Sequence, residues 1–179
     1  MTTHSSSSGA AKHQTTALAH RLEVEAWADP DWQRLWLTLS QLPWRTLALV
    51  PSGPGAPTDF TLKMAVILSR TGMSHVGAPI PVADGTRVPL NEFSAFMADI
   101  RACREGSERV LIALSAVVES PTTAAMAKSA DGALLCVQLG QMRSSHAKQT
   151  IKTIGPSKFL GSVIIRPNGT PADADNPGE

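Results

Sequence analysis

The chain has 179 residues and a hydrophobic fraction of 42%, enough to pack the core of one domain and too short for two. Its formal net charge of +1 gives no global field to attract nucleic acid or an anionic bilayer, and no run reaches the ~20 apolar residues needed to cross a membrane. Cys103 and Cys136 lie far apart in apolar-periodic segments and read as buried reduced thiols; with no apolar signal core at the N-terminus, a cytoplasmic protein is predicted.

Residues 1–14 are polar and Ser-rich and are predicted to be disordered, and helical periodicity begins near Thr16 with Leu18, Leu22 and Ala26. Asp29 is a good N-cap, Pro30 suits the first helical position, and Trp32, Leu35, Trp36 and Leu39 fall on one helical stripe that ends before Pro43. That stripe has two readings, a helix packed against the sheet or a partner-binding helix anchored by its two tryptophans. Residues 47–50 are apolar and bounded by Pro51, as in a central buried strand. A Gly/Pro loop follows, and Thr58 or Asp59 opens a helix predicted to stop at Gly72. A short strand is predicted at 80–83, a helix capped by Asn91 through Cys103, a strand at 109–114, a helix at 122–130 and a strand at 132–139. Ser144 or Ser145 starts a helix to Ile154, and 159–165 reads as the last strand. Strands alternating with helices at this spacing predict a doubly wound, mostly parallel α/β sheet of about five strands within residues 15–165, followed by a disordered tail over 166–179.

A strand, a Gly-rich loop and a helix form the layout that cradles phosphate, because backbone N–H groups and the helix N-terminus converge on an anion. The loop Ser52, Gly53, Gly55, Thr58, Asp59 keeps the layout and lacks the chemistry. From Gly53 no Lys follows at the required spacing, and no hydroxyl stands at the metal-ligand position. Pro51, Pro54 and Pro57 each remove a donor. Asp59 sets a carboxylate in the first helical turn, where it caps the helix and repels a polyanion. Lys63 lies about a turn too far along to lean back over the loop and reads as a solvated surface lysine. No acid follows the strand at 109–114 before Glu119, and Asp84, flanked by Ala83 and Gly85, reads as a turn residue.

With these features in order, the chain resembles, over residues 31–165, the P-loop ATPases of the MinD/ParA superfamily. It is most similar to the cytoplasmic domain of bacterial tyrosine kinases (BY-kinases) of the polysaccharide co-polymerase system. The resemblance rests on residues 109–112, Val118-Glu-Ser-Pro, Ala130-Asp-Gly-Ala-Leu-Leu-Cys-Val, Gly140-Gln-Met-Arg and Leu160-Gly-Ser-Val-Ile. It implies a phosphate loop, a magnesium-binding Asp at the end of a buried strand, a C-terminal tyrosine cluster and a nucleotide-bridged dimer. The helix from 29 to 42 occupies the place of the segment through which those kinases oligomerise. Thr58 and Asp59 stand where the family has Lys and Ser/Thr, Ala113 stands at the position of the Walker B Asp, and the chain has no Tyr.

Retained layout without catalytic groups predicts a non-enzymatic, cofactor-free pseudo-ATPase. It would act as adaptor or regulator in bacterial exopolysaccharide synthesis or secretion, docking to a protein partner such as a membrane-bound synthase or co-polymerase, or forming a homodimer. The alternatives are a residual nucleotide-binding ATPase and a ParA/MinD-like positioning protein on DNA or a membrane partner. The five histidines show no metal-ligand spacing, Ser115 and Ser120 lack a nucleophile elbow, and Arg143, Lys148, Lys152 and Lys158 read as a solvated helix face, so no nucleic acid is expected.

Overall fold

The run Thr46–Pro51 is apolar on both of its alternating faces, a pattern suited to a strand covered by helices on either side. The computed structural model describes residues 27–140 and 143–166, and in it this run is β1, buried at all six positions. The predicted disorder at 1–14, the periodicity around Leu18 and Leu22, and the tail beyond Arg166 lie outside the described residues.

Among the described residues, five α-helices and five strands alternate: α1 (Pro30–Ser40), β1, α2 (Phe60–Val76), β2 (Val82–Asp84), α3 (Phe93–Gly106), β3 (Val110–Ala113), α4 (Pro121–Ser129), β4 (Gly132–Gln138), α5 (Ser144–Ile154) and β5 (Phe159–Ile165). The sheet is parallel throughout with order β2-β3-β1-β4-β5, so the doubly wound reading holds. Leu47 and Leu49 of β1 face the cluster of α1 and α2 with Trp32, Trp36, Met64 and Leu68. Ala48 and Val50 face the opposite cluster, with Met97, Ile100, Met126, Ala127 and Ile154 from α3, α4 and α5. β5 takes one extra residue against β4 between its pairs Ala133↔Phe159 and Leu134↔Gly161, and Leu160 closes over Gly132.

The start of α1 follows its local code. Asp29 Oδ1 accepts from the Asp31 N–H at 2.8 Å, with Pro30 at the first position. Its stripe belongs to the core: Trp32, Trp36 and Leu39 are 1%, 1% and 2% exposed, and Leu35 is half-buried against the same cluster. Of the two readings of this helix, the packed one describes the molecule, and the tryptophans are not on offer as partner anchors. Trp36 meets Trp44 edge-on, with ring centroids 6.1 Å apart, and the Arg109 guanidinium lies 4.6 Å over Trp44 and 5.5 Å from Trp36.

Several boundaries differ from the sequence reading. α2 does not stop at Gly72; it continues to a left-handed Gly77 (φ 74°), whose N–H donates to the Met73 carbonyl. Gly72 serves close approach instead, because a Cβ there would stand 2.6 Å from the Trp36 ring and against Ile80. The second strand starts two residues later than predicted, at Val82, and Asn91 lies within a short 3₁₀ turn, Leu90–Glu92, rather than capping α3. Cys103 is exposed, in the last turn of α3 beyond the buried Met97 and Ile100, whereas Cys136 is fully buried and its thiol pKa is pushed far up by desolvation.

Asp131, between α4 and β4, ties the starts of two central strands together. Its Oδ2 accepts from the Arg45 N–H at 3.0 Å, the Thr46 N–H at 2.8 Å and the Thr46 hydroxyl at 2.9 Å. Desolvation opposes ionisation of this carboxyl, but the donors from Thr46 and Arg45, with Arg104 nearby, outweigh it and hold the pKa below its ordinary value of 3.8. A depressed carboxylate stabilises the fold above the unfolded-state value and loses that contribution as pH falls through the folded one. Acid titration of stability followed by circular dichroism should therefore show Asp131→Ala to be less stable than the natural protein by about 1 kcal/mol near neutral pH, the gap closing below pH ~4. Gly72→Val should lower the urea midpoint by an amount worth about 1–3 kcal/mol, through overpacking against Trp36.

Candidate functional site

The loop between β1 and α2 leaves the C-terminal end of the central strand, where parallel α/β sheets place their ligands. Its first half is buried and its second half exposed. Ser52 is fully buried; its N–H donates to the Cys136 carbonyl at 2.8 Å and its own carbonyl accepts from the Thr150 hydroxyl at 3.2 Å. Those bonds fasten the loop to β4 on one side and α5 on the other.

Gly53, also buried, lies under His146 of α5, so close that a Cβ on Gly53 would stand 2.5 Å from the His146 Cβ. The imidazole therefore covers the stretch of backbone that would have to approach a phosphate. Its Nδ1 is buried with no hydrogen-bond partner among the described residues. Gly55 takes a left-handed φ of 94° at the exposed turn of the loop.

Thr58 and Asp59 are exposed where the resemblance would set a Lys and a Ser/Thr. Asp59 makes no side-chain cap on α2, contrary to the sequence reading; it pairs with Lys63 at 2.8 Å, and this hydrogen-bonded partner draws its pKa below the ordinary value. The lysine thus does reach back one turn, to the carboxylate rather than to the loop backbone. Both groups are about half-exposed, so the pair contributes little to stability. At the next turn the Thr61 hydroxyl is spent on the Leu114 carbonyl at 2.7 Å, and the Phe60 N–H on the Pro57 carbonyl at 2.9 Å.

Ala113 ends β3, fully buried and in register with Leu49 of β1 and Asp84 of β2. Its carbonyl accepts from the Gly85 N–H at 2.8 Å. Asp84, the nearest acid on a strand end, turns back on its own chain: Oδ1 accepts from the Thr86 N–H at 3.0 Å and the Thr86 hydroxyl at 2.6 Å. Ser115 pairs with Thr123, and Ser120 with Thr122, in hydroxyl contacts of 3.1 and 2.8 Å. Among the described residues no group of three His, Cys, Asp or Glu side chains could hold a metal ion. Between Pro51, Pro57, Thr58, Thr61, Ser115 and Glu119 there remains a cavity of about 10 Å3. That volume admits about one water molecule.

On the basic face, Arg143, Lys148 and Lys152 are exposed, while Lys158 donates to the Ala130 carbonyl at 2.8 Å and anchors the turn before β5. No helix of the described residues is long and apolar enough to cross a membrane. His146, Thr150 and Thr61 escaped the sequence reading of this site. Their only signal was the bland one of helix residues without a motif.

No family model matches the chain, and no curated protein matches it. Among solved structures it is similar to the chimerical protein CapA2B2, with a TM-score of 0.56 at 11% identity over 73% of this chain and 79% of that one. It is also similar to the BceF tyrosine kinase domain, with a TM-score of 0.51 at 14% identity over 72% of each chain. These likenesses establish the fold, a five-stranded parallel α/β sheet of the kind found in P-loop domains and in the BceF tyrosine kinase domain.

The packing of His146 on Gly53 generates a direct expectation. Gly53→Ala should push α5 off the loop, lowering stability by about 1–3 kcal/mol and speeding amide exchange across residues 146–154 while leaving α1 and β3 unchanged.

Proposed function

We propose that the protein is a catalytically inactive relative of the BY-kinase-like domains. In this reading it acts as a protein-binding adaptor or regulator in bacterial exopolysaccharide synthesis or secretion, engaging a membrane-bound synthase or co-polymerase or a homologous active ATPase. The observation that carries the proposal is the state of the loop. His146 sits on Gly53, Pro51, Pro54 and Pro57 offer no backbone donor, Asp59 puts a carboxylate paired with Lys63 at the start of α2, and the pocket beside the loop has a volume of only about 10 Å3. Ala113 offers no carboxylate for magnesium, and a chain without Tyr has no residue to autophosphorylate in the manner of a tyrosine kinase. The likeness to the BceF tyrosine kinase domain supports the pathway half of the reading through fold alone.

Isothermal titration of the full chain with ATP and with ADP, each with magnesium, is the deciding measurement. No saturable heat at micromolar to low-millimolar nucleotide is expected, together with no phosphate release above the blank. Micromolar binding accompanied by turnover would replace this reading with a residual ATPase.

A further inference from the structure

β5 forms one edge of the sheet, and among the described residues no strand lies on its outer side. The opposite edge, β2, is three residues long and ends in the charged Asp84, two of the means by which an edge is kept from pairing with other chains. β5 lacks that protection. Its seven residues, Phe-Leu-Gly-Ser-Val-Ile-Ile, include no charge and no proline. Lys158, just before it, is turned inward to the Ala130 carbonyl. The extra residue in the strand sits at its start, which leaves residues 161–165 as a regular ladder on β4.

One hydrogen bond settles which backbone groups of that ladder face outward. Leu139 donates its N–H to the Ile165 carbonyl at 2.9 Å, so Ile165 turns its backbone groups toward β4. Orientation alternates along a strand; Val163 and Gly161 therefore do the same, while Ser162 and Ile164 turn N–H and C=O away from the sheet. The side chains alternate as well. Val163 and Ile165 are buried in the cluster of α1 and α2, which puts Ser162 and Ile164 on the other face, where both are exposed, Ile164 at 41%.

Antiparallel strands join through pairs of residues that both turn their backbone groups to the partner. A two-fold axis at Val163 sets Ser162 of each copy of this chain opposite Ile164 of the other. Both outward residues of both copies are then satisfied inside the regular ladder, by about four new backbone hydrogen bonds. An axis at Ser162 or at Ile164 would pair only that one residue within it. Val163 meets Val163 in the closely spaced, non-hydrogen-bonded position, with Cα atoms about 4.5 Å apart. The edge is thus complementary to itself, and the exposed Ile164 gains a neighbour on its own face.

We infer that two copies of the chain pair antiparallel along β5, joining their sheets into one continuous sheet. The occupant of the edge is a second copy, and the inference does not depend on whether the phosphate loop binds nucleotide.

The test uses the full chain, with sedimentation equilibrium for mass and amide exchange by NMR for the edge. A monomer–dimer equilibrium is expected. The Ser162 and Ile164 N–H groups should exchange more slowly as protein concentration rises, whereas the Val163 N–H, bonded to β4, should be protected at every concentration. Ser162→Pro removes an outward donor and leaves the bonds to β4, and Ile164→Lys places a charge on the edge; each should give a monomer at concentrations where the natural chain and Ile164→Val are dimeric. Val163 protection in the variants is the control for folding, and the exchange pattern of the natural chain decides the matter even if a variant misfolds. A natural chain that stays monomeric at millimolar concentration would overturn the proposal, as would a dimer that survives both substitutions. Protection of Ser162 and Ile164 that is independent of concentration would overturn it too, in favour of an edge covered within one chain.

Discussion

Strand β1 has no side chain in water: all six residues from Thr46 to Pro51 are buried, and helices cover both of its faces. A strand in that position gains its stability from apolar burial on two sides, yet its ends must still satisfy backbone polar groups away from solvent. The chain meets this demand with residues brought from far along the sequence. Asp131 collects the N–H groups of Arg45 and Thr46 and the Thr46 hydroxyl at the start, and Cys136 and Thr150 hold Ser52 at the finish. These bonds fix the two ends of β1 against β4 and α5.

The loop after β1 is held as a structural joint. A phosphate cradle needs free backbone donors and open space above them. Here the space over Gly53 holds the His146 ring, the Thr61 hydroxyl is committed to Leu114, and Asp59 is committed to Lys63. Each of these contacts is internal to the joint. The joint is completed by α5, on which Thr150 and Ile154 are also buried.

On the other face of the sheet the aromatic set acts as one unit. Trp44 donates its Nε1–H to the Leu39 carbonyl at 2.7 Å, Arg109 donates to Ser40, and the guanidinium stacks over both Trp36 and Trp44. The end of α1 is thereby capped by side chains rather than by its own glycine or asparagine. Gly72 lets α2 close on Trp36, so the two helices form a single layer over β1 and β3. The stripe Trp32, Leu35, Trp36, Leu39 was legible as a stripe, but its destination was not, since an interface and a core use the same spacing of large apolar residues.

What the sequence determined by itself was the run of elements. Apolar periodicity, Asp29 before Pro30, and the Gly/Pro breaks act over four or five residues, so helices and strands could be read from their own residues to within about five positions. That no Lys follows Gly53 at phosphate-loop spacing, that no acid stands between Arg109 and Glu119, and that the chain has no Tyr was equally plain, because a missing residue needs no coordinates. At Gly72 the close approach of Trp36, and at Asp59 the ion pair with Lys63, outweighed the local preference, while Asn91 falls in a 3₁₀ turn and Cys103 on the exposed last turn of α3. Only the tertiary structure decided that His146 covers Gly53, that Asp131 ties β4 to β1 across 85 residues, and that Thr150 reaches Ser52 across 98. Crossovers in a parallel sheet bring such pairs together, and no periodicity along the chain records which of its many polar helix residues will arrive.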